Sequence, residues 1–397
     1  MKIQSKIVSW AVSLLFAAAV AALCLLALFR ESEKYSFFEN RNLVSMPELK
    51  KEDVLSGRYF SDVEKYLGDH APLRRTLVKL NCSVDLFLGK PVVNDVVVTK
   101  NALLSFKDFE GAPDPEKIGS KAARAASNVA AHRDTAEEYG GRFCYVAIPC
   151  QYVCLEDRFP WYIENRADYT RVSSEAMFRE LRERGVDYID IKEDVDRMTD
   201  EERSVFSSAV DNHSSIFGAY LTYRRMMDKV NADWGGGVEV LEEGEYSTEK
   251  VPNPYLGSRG RKLFDLIGFD ESLYTITPKE KIPFKEYYKG TEVAPKVYYV
   301  PKNPYETVLY SMYMNGDNSF TEIDTGREDL PSVLIYGDSF TNAVECILWY
   351  GFDKMYSVDL RSYKDKSIDD VIRELRPDYV FCVRDYEALI DTTGNGR

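Results

Sequence analysis

The sequence predicts an α/β fold in which a parallel sheet is covered by helices on both faces. Two observations carry this. From about residue 116, five short apolar runs follow one another: FCYVAIP (143–149), VDYIDI (186–191), SVLIYGDS (332–339), KMYSVDL (354–360) and DYVFCVR (378–384). Segments with helical periodicity separate them, and apolar strands alternating with helices imply a parallel sheet buried on both sides. The chain's 397 residues suffice for one large or two modest domains around a packed core.

Taken in order, residues 7–29 form an uncharged apolar run of 23. At about 1.5 Å per residue such a helix spans a hydrocarbon layer of roughly 30 Å with some tilt. Lys2 and Lys6 precede the run, which favours keeping that end in the cytoplasm. A cleaved signal peptide would have a shorter apolar region and a small-residue site, and LLALFR at 25–30 is a poor one. The expectation is therefore a cytoplasmic tail and transmembrane signal anchor over 1–30, in the cell membrane, with the rest of the chain extracytoplasmic. Residues 31–115 read as a stalk and helical leader. Amphipathic helices are expected around 60–68 and 72–88, the second with Leu73, Leu77, Leu80 and Val84 at helical spacing, and a β-hairpin over 92–106 turns at Lys100-Asn101. The α/β domain occupies 116–397. Its helices are expected at 116–139, 169–184, 214–231, near 341–350 and at 367–375. A β-rich insertion at about 234–330 is rich in Tyr, Pro and Gly and holds short β-like runs such as KVYYVP (296–301).

Composition narrows the function. The chain carries 51 Lys+Arg against 65 Asp+Glu, a formal charge of −14, so unspecific attraction to nucleic-acid phosphates is disfavoured. No P-loop, dinucleotide motif or metal-binding carboxylate cluster appears, and the spacing of the six cysteines beyond the apolar run gives no zinc pattern. No cofactor or metal is expected. Cys144, Cys346 and Cys382 sit in apolar runs and read as buried thiols. Cys150 and Cys154 are spaced so that a cross-link and free thiols both remain open.

The strongest local feature is Gly337-Asp338-Ser339-Phe340, between an apolar strand and a helix. A serine at such a turn projects its hydroxyl above the sheet edge, where its own amide and the helix N-terminus face a developing oxyanion. A plain helix cap is the alternative. A serine nucleophile needs a base, normally a histidine oriented by a carboxylate. Only three histidines exist. His132 reads as a solvated helix residue and His70 as a cap or packing residue. His213 stands in Asp211-Asn212-His213, directly before a helix, where the carboxylate can fix the imidazole tautomer or simply cap the helix.

The Asp-x-His before a helix with Gly218-Ala219-Tyr220, followed much later by an apolar strand and GDSF, resembles the DHHW proteins. It is also similar to the alginate O-acetyltransferase type of SGNH-hydrolase-like domain, with its flavodoxin-like sheet. Glu39-Asn40-Arg41 with Met46-Pro47, DHAPLR (69–74), GSRGRKL (257–263), YMNGDNSF (313–320) and VDLRSY (358–363) fit the same pattern in the same order. The resemblance implies Ser339 as nucleophile, His213 as general base and Asp211 as its orienting partner. It implies acyl transfer through a serine ester to or from a sugar hydroxyl of an extracellular polysaccharide. A membrane-bound O-acyltransferase is the implied acetyl donor. Three features depart from the pattern. The tryptophan after Asp-x-His is Ser214, the GxND oxyanion motif is replaced by Val383-Arg384-Asp385, and the GKDGWLF-like hairpin has become VTKNALLSF. The candidates for oxyanion or substrate binding are therefore Gly337 and Asp338, the amides around Arg361, and the Asn318 side chain, beside the Ser339 amide. A carbohydrate esterase using the same three residues is the alternative chemistry. A non-catalytic scaffold or glycan-binding component of a polysaccharide assembly complex is the alternative from another class.

Overall fold

The computed structural model describes residues 2–29, 33–39, 41–106 and 111–392, with side chains of the first helix described over 10–26. Asn40 of the Glu39-Asn40-Arg41 motif lies outside them. The chain divides into two compact units, residues 1–94 with 260–267, and residues 95–259 with 268–397.

In the first unit a helix runs over Lys2–Phe29, covering the expected anchor at 7–29, whose two ends fall outside the residues described at side-chain level. Among the described residues no helix is long and apolar enough to cross a membrane. The two leader helices are Arg58–Asp69 and Arg74–Phe87. The motif charges of the leader pair with one another: Arg41 clamps Asp69 with bonds of 2.6 and 2.8 Å, and Arg74 holds Glu39. His70 caps the first of these helices and its Nε2 meets the Val44 carbonyl at 2.9 Å, a packing role.

The second unit is built on an eight-stranded sheet. Its strands are β1 (Arg142–Ile148), β2 (Tyr188–Asp190), β3 (Lys285–Tyr288), β4 (Thr291–Val293), β5 (Phe320–Asp324), β6 (Val333–Gly337), β7 (Lys354–Asp359) and β8 (Tyr379–Asp385). The order across the sheet is β4-β3-β5-β7-β6-β8-β1-β2. All five apolar runs form the parallel part, β7-β6-β8-β1-β2. The sheet as a whole is mixed, because β3, β4 and β5 of the insertion join its edge antiparallel. Their sequences explain why they escape an apolar-run reading: FTEID alternates buried and half-buried positions and KEYY keeps a single buried residue, so neither is an unbroken apolar run.

Numbered from β6 rather than β1, the five parallel strands run 2-1-3-4-5, the flavodoxin-like order. The chain enters that order at its fourth strand, so residues near the end of β2 precede β6 in sequence while lying at the same sheet edge. The longer helices of this unit are α1 (Pro115–Glu138), α2 (Ala167–Glu183), α3 (Ile216–Trp234), α4 (Thr341–Leu348) and α5 (Ile368–Leu375). Right-handed crossovers place α2 and α5, which step one way across the sheet, on the face opposite α4, which steps the other way. α1 packs on α2 and α5, and α3 packs on α4. His132 of α1 is not solvated. It is 2 % exposed, and its Nδ1 meets the Tyr336 hydroxyl of β6 at 2.7 Å. Burial lowers its pKa to about 4, so it is neutral and structural. The alanine-rich helix around it misled the reading, since small residues are what let α1 lie flat on the sheet. All seven cysteines are free thiols, including Cys150 and Cys154. The hairpin Val96–Val98 with Leu103–Ser105 turns at Lys100-Asn101, as expected.

Candidate active site

β6 ends at Gly337, between β7 and β8, where the crossover direction reverses; this is the place in an open parallel sheet where ligands bind. A Cβ on Gly337 would collide with the Val383 carbonyl oxygen of β8, so only glycine lets the strand turn here. Gly337→Ala is expected to destabilise the fold by about 3 kcal/mol, read from the urea midpoint. Asp338 is buried. Its Oδ1 accepts the Phe340 amide at 3.0 Å, its carbonyl accepts the Thr341 amide at 3.0 Å, and its Oδ2 pairs with Arg384 Nη1 at 3.1 Å. It therefore fastens the turn to the end of β8 and does not face substrate. What the turn presents is the half-buried Ser339, whose amide makes no hydrogen bond among the described residues.

His213 arrives from the segment between the short helix Asp200–Phe206 and α3. The cap of α3 is Ser215, whose Oγ accepts the Phe217 and Gly218 amides, so Asp211 is released from that role. Asp211, 3 % exposed, accepts instead from the Asn212 amide at 2.7 Å, from His213 Nδ1 at 2.6 Å, and from the Ser258 amide at 2.6 Å. Burial alone would raise its pKa. The His213 hydrogen bond and charge, the Ser258 amide and the charge of Arg259 outweigh burial and hold the carboxyl well below the usual carboxylate range. Gly257 lets this loop close, since a Cβ there would strike the Val210 backbone. Buried Arg259 completes it, with Nη2 donating to Asn212 Oδ1 at 3.0 Å.

His213 Nε2 lies 2.8 Å from Ser339 Oγ. The imidazole stacks on Tyr310, with centroids 3.8 Å apart and planes at 5°, and Phe340 approaches it at 4.8 Å. Arg361 enters differently from the expectation. The amides around it are consumed: Leu360 donates to the Gly337 carbonyl, and Arg361 and Ser362 donate to Asp359 Oδ1. Its guanidinium is what reaches the site, with Nη1 3.4 Å from Ser339 Oγ, braced by Asp359 at 2.6 Å and Asp317 at 2.8 Å. Asn318 is turned away, donating Nδ2 to the Met314 carbonyl at 2.7 Å. The groups left beside Ser339 Oγ are thus the Ser339 amide and the Arg361 guanidinium.

Beneath the site, α4 is buried over all eight residues, Glu345 included. Burial, against hydrogen bonds from Thr341 and Ser357 and reinforced by Asp359 and Asp317, pushes the Glu345 carboxyl up to about 7. Its folded pKa lies above the unfolded value of about 4.3, so the stability it contributes is full below that value and is lost as pH rises through 7. Glu345→Gln, which cannot ionise, is expected to gain about 3 kcal/mol on wild type between about pH 4 and pH 8 in urea unfolding.

Sequence reasoning brought together Ser339, His213 and Asp211, and passed over Ser258, Arg259, Tyr310 and Arg384. Ser258 and Arg259 were visible only as part of GSRGRKL, and Arg384 only as a departure from GxND. Tyr310 had no local signal among the 27 tyrosines.

Residues 106–293 match the family model described as SGNH hydrolase-like domain, acetyltransferase AlgX. No curated protein matches the sequence. Among solved structures, PatB1 of Bacillus cereus is similar at 20% identity and a TM-score of 0.63, covering 74% of this chain and 96% of that one. Its sulfonyl adduct gives 19% and 0.62, covering 75% and 96%. A DHHW family protein from Eubacterium siraeum gives 17% and 0.53, covering 75% and 93%. These likenesses establish the fold, and with the family match they bear out the resemblance: the chain carries an SGNH-hydrolase-like α/β domain similar to the AlgX and DHHW proteins.

Proposed function

We propose that this chain is a serine O-acyltransferase that moves an acetyl group to a hydroxyl of an exported or cell-surface polysaccharide. The observation that carries the reading is the chain of short contacts from Asp211 to His213, 2.6 Å, and from His213 to Ser339, 2.8 Å. In the proposed first step Ser339 Oγ attacks the carbonyl carbon of an acetyl donor while its proton passes to His213 Nε2. The carbonyl oxygen takes the electron pair of the broken π bond, facing the Ser339 amide and the Arg361 guanidinium. The leaving group then receives the proton from His213, and an acetyl-serine ester remains. In the second step a sugar hydroxyl gives its proton to His213 and attacks that ester; Ser339 Oγ leaves as the ester bond breaks and takes that proton from His213 Nε2. Asp211 stays ionised throughout and stabilises the imidazolium.

The name of the matched family, an acetyltransferase, supports the acyl chemistry. The apolar run at 7–29, with Lys2 and Lys6 before it, supports a membrane anchor with the α/β domain outside the cytoplasm. In that setting a membrane-bound O-acyltransferase is the proposed source of acetyl groups.

The test is to incubate the full chain, in detergent micelles, with an activated acetyl ester, and to map the modified residue by mass spectrometry. Acetyl on Ser339 that is discharged faster by an oligosaccharide than by buffer is the expected result. Discharge indifferent to the oligosaccharide would favour the esterase. Absence of acetylation from any donor would favour a non-catalytic scaffold.

A further inference from the structure

We infer that Tyr310 is a positioning residue for the general base: its ring holds the His213 imidazole in the plane that aims Nε2 at Ser339 and receives the positive charge that ring acquires. The inference rests on the serine-transferase reading above and adds a part that reading does not contain. A centroid separation of 3.8 Å with planes 5° apart is a parallel stack, not an edge contact of general packing. The imidazole turns about its Cβ–Cγ bond, a motion that carries Nδ1 off Asp211 and Nε2 off Ser339. A parallel ring against its face removes that freedom.

Charge gives the second argument. When His213 takes the serine proton, the groups around it are the Asp211 carboxylate at Nδ1, Ser339 Oγ at Nε2, the Arg361 guanidinium 3.4 Å from that same Oγ, the Phe340 ring, and Arg259 acting through Asn212. Two of these are cations and disfavour an imidazolium. The face of Tyr310 is electron-rich and lies well within the roughly 6 Å over which a cation is attracted to an aromatic ring. It adds stabilisation without a second carboxylate, which would compete with Asp211 for the tautomer. Tyr310 is itself held. It is 7 % exposed, sits in the tight turn Tyr310–Met312, and packs against Tyr313, which is fully buried and donates to the Tyr274 carbonyl at 2.9 Å. The insertion at 234–330 thus adds an aromatic face to the backbone and charged contacts that Ser258, Arg259 and Asp317 already make at the site.

The experiment compares Tyr310→Phe, Tyr310→Leu and Tyr310→Met with wild type and Ser339→Ala, all as full chain in detergent. Two rates are read: turnover of p-nitrophenyl acetate, split into kcat and KM, and covalent labelling of Ser339 by an arylsulfonyl fluoride, which needs an activated Oγ but no acceptor. Phe, which keeps the ring, is expected within about twofold of wild type. Leu and Met are expected to lose about 10-fold in kcat and in labelling rate, with KM moved less than about twofold. Met guards against a fold too weak in the Leu variant. Leu and Met at wild-type rates, or Phe falling as far as Leu, would overturn the assignment. So would a change confined to KM. Failure of the serine reading has a different signature: Ser339→Ala would then turn over p-nitrophenyl acetate like wild type.

Discussion

Ser339→Ala is expected to lower acetyl turnover by about 10⁴- to 10⁶-fold while leaving KM within a few-fold. The reason is that the hydroxyl is the only group at the turn able to form the ester. Without it His213 Nε2 faces an empty position 2.8 Å away, which at best activates a water in the wrong place. The proposed charge-stabilising donors, the Ser339 amide and the Arg361 guanidinium, survive the substitution, so a residual rate set by them should remain. Stability is expected to change by less than about 1 kcal/mol, because the side chain is small and only half-buried. A variant that retains more than about a tenth of wild-type turnover would remove Ser339 from the chemistry.

Asp211→Asn is expected to cost about 10³- to 10⁴-fold in kcat, almost as much as loss of the nucleophile. In wild type both carboxylate oxygens accept: Oδ1 takes the His213 Nδ1 proton and the Asn212 amide, and Oδ2 takes the Ser258 amide. An asparagine has one acceptor and one donor. If its oxygen stays with His213, its NH₂ opposes the Ser258 N–H. If it flips, its NH₂ donates to Nδ1, which places the imidazole proton on Nε2, where it can no longer take the serine proton. Either arrangement leaves a buried donor unpaired, so a stability loss of about 1–3 kcal/mol should accompany the loss of rate. The pH dependence separates the charge from the shape. The folded pKa of Asp211 is lowered, so its contribution to stability is present above the unfolded value of about 3.9 and is lost as pH falls below it. The stability gap between wild type and Asp211→Asn should therefore be constant near neutrality and narrow below about pH 4 in acid-unfolding curves. A gap that stayed unchanged down to pH 2 would mean that the charge of Asp211 is not what the pocket stabilises.

The two local pieces of the site were legible because each is written in consecutive residues. Gly337-Asp338-Ser339 follows an apolar run, and Asp211-x-His213 precedes a helix start, so strand-to-turn and loop-to-helix geometry could be read without knowing the fold. The five parallel strands were legible for the same reason, since burial on both faces demands uninterrupted apolar runs. Legibility failed where burial is one-sided or borrowed. The insertion was legible as β-rich, but β3 and β5 alternate polar and apolar residues, and only pairing fixes where they lie, β5 on β7 and β3 on β5. His132 looked like a surface residue because its partner, Tyr336, lies 204 positions away on another element.

By itself, then, the sequence determined the chemical inventory: one serine at a strand-to-helix turn, one histidine with a carboxylate two residues before it, and a layered α/β core to hold them. Only the tertiary structure decided how that inventory is used. It set Nε2 against Oγ across 126 positions, turned the Arg361 guanidinium rather than its amide toward the serine, directed Asn318 away, and laid Tyr310 on the imidazole. The physical reason is that side-chain type and short-range periodicity are properties of neighbours along the chain, whereas the direction of a donor or the face of a ring depends on which distant backbone its own element packs against.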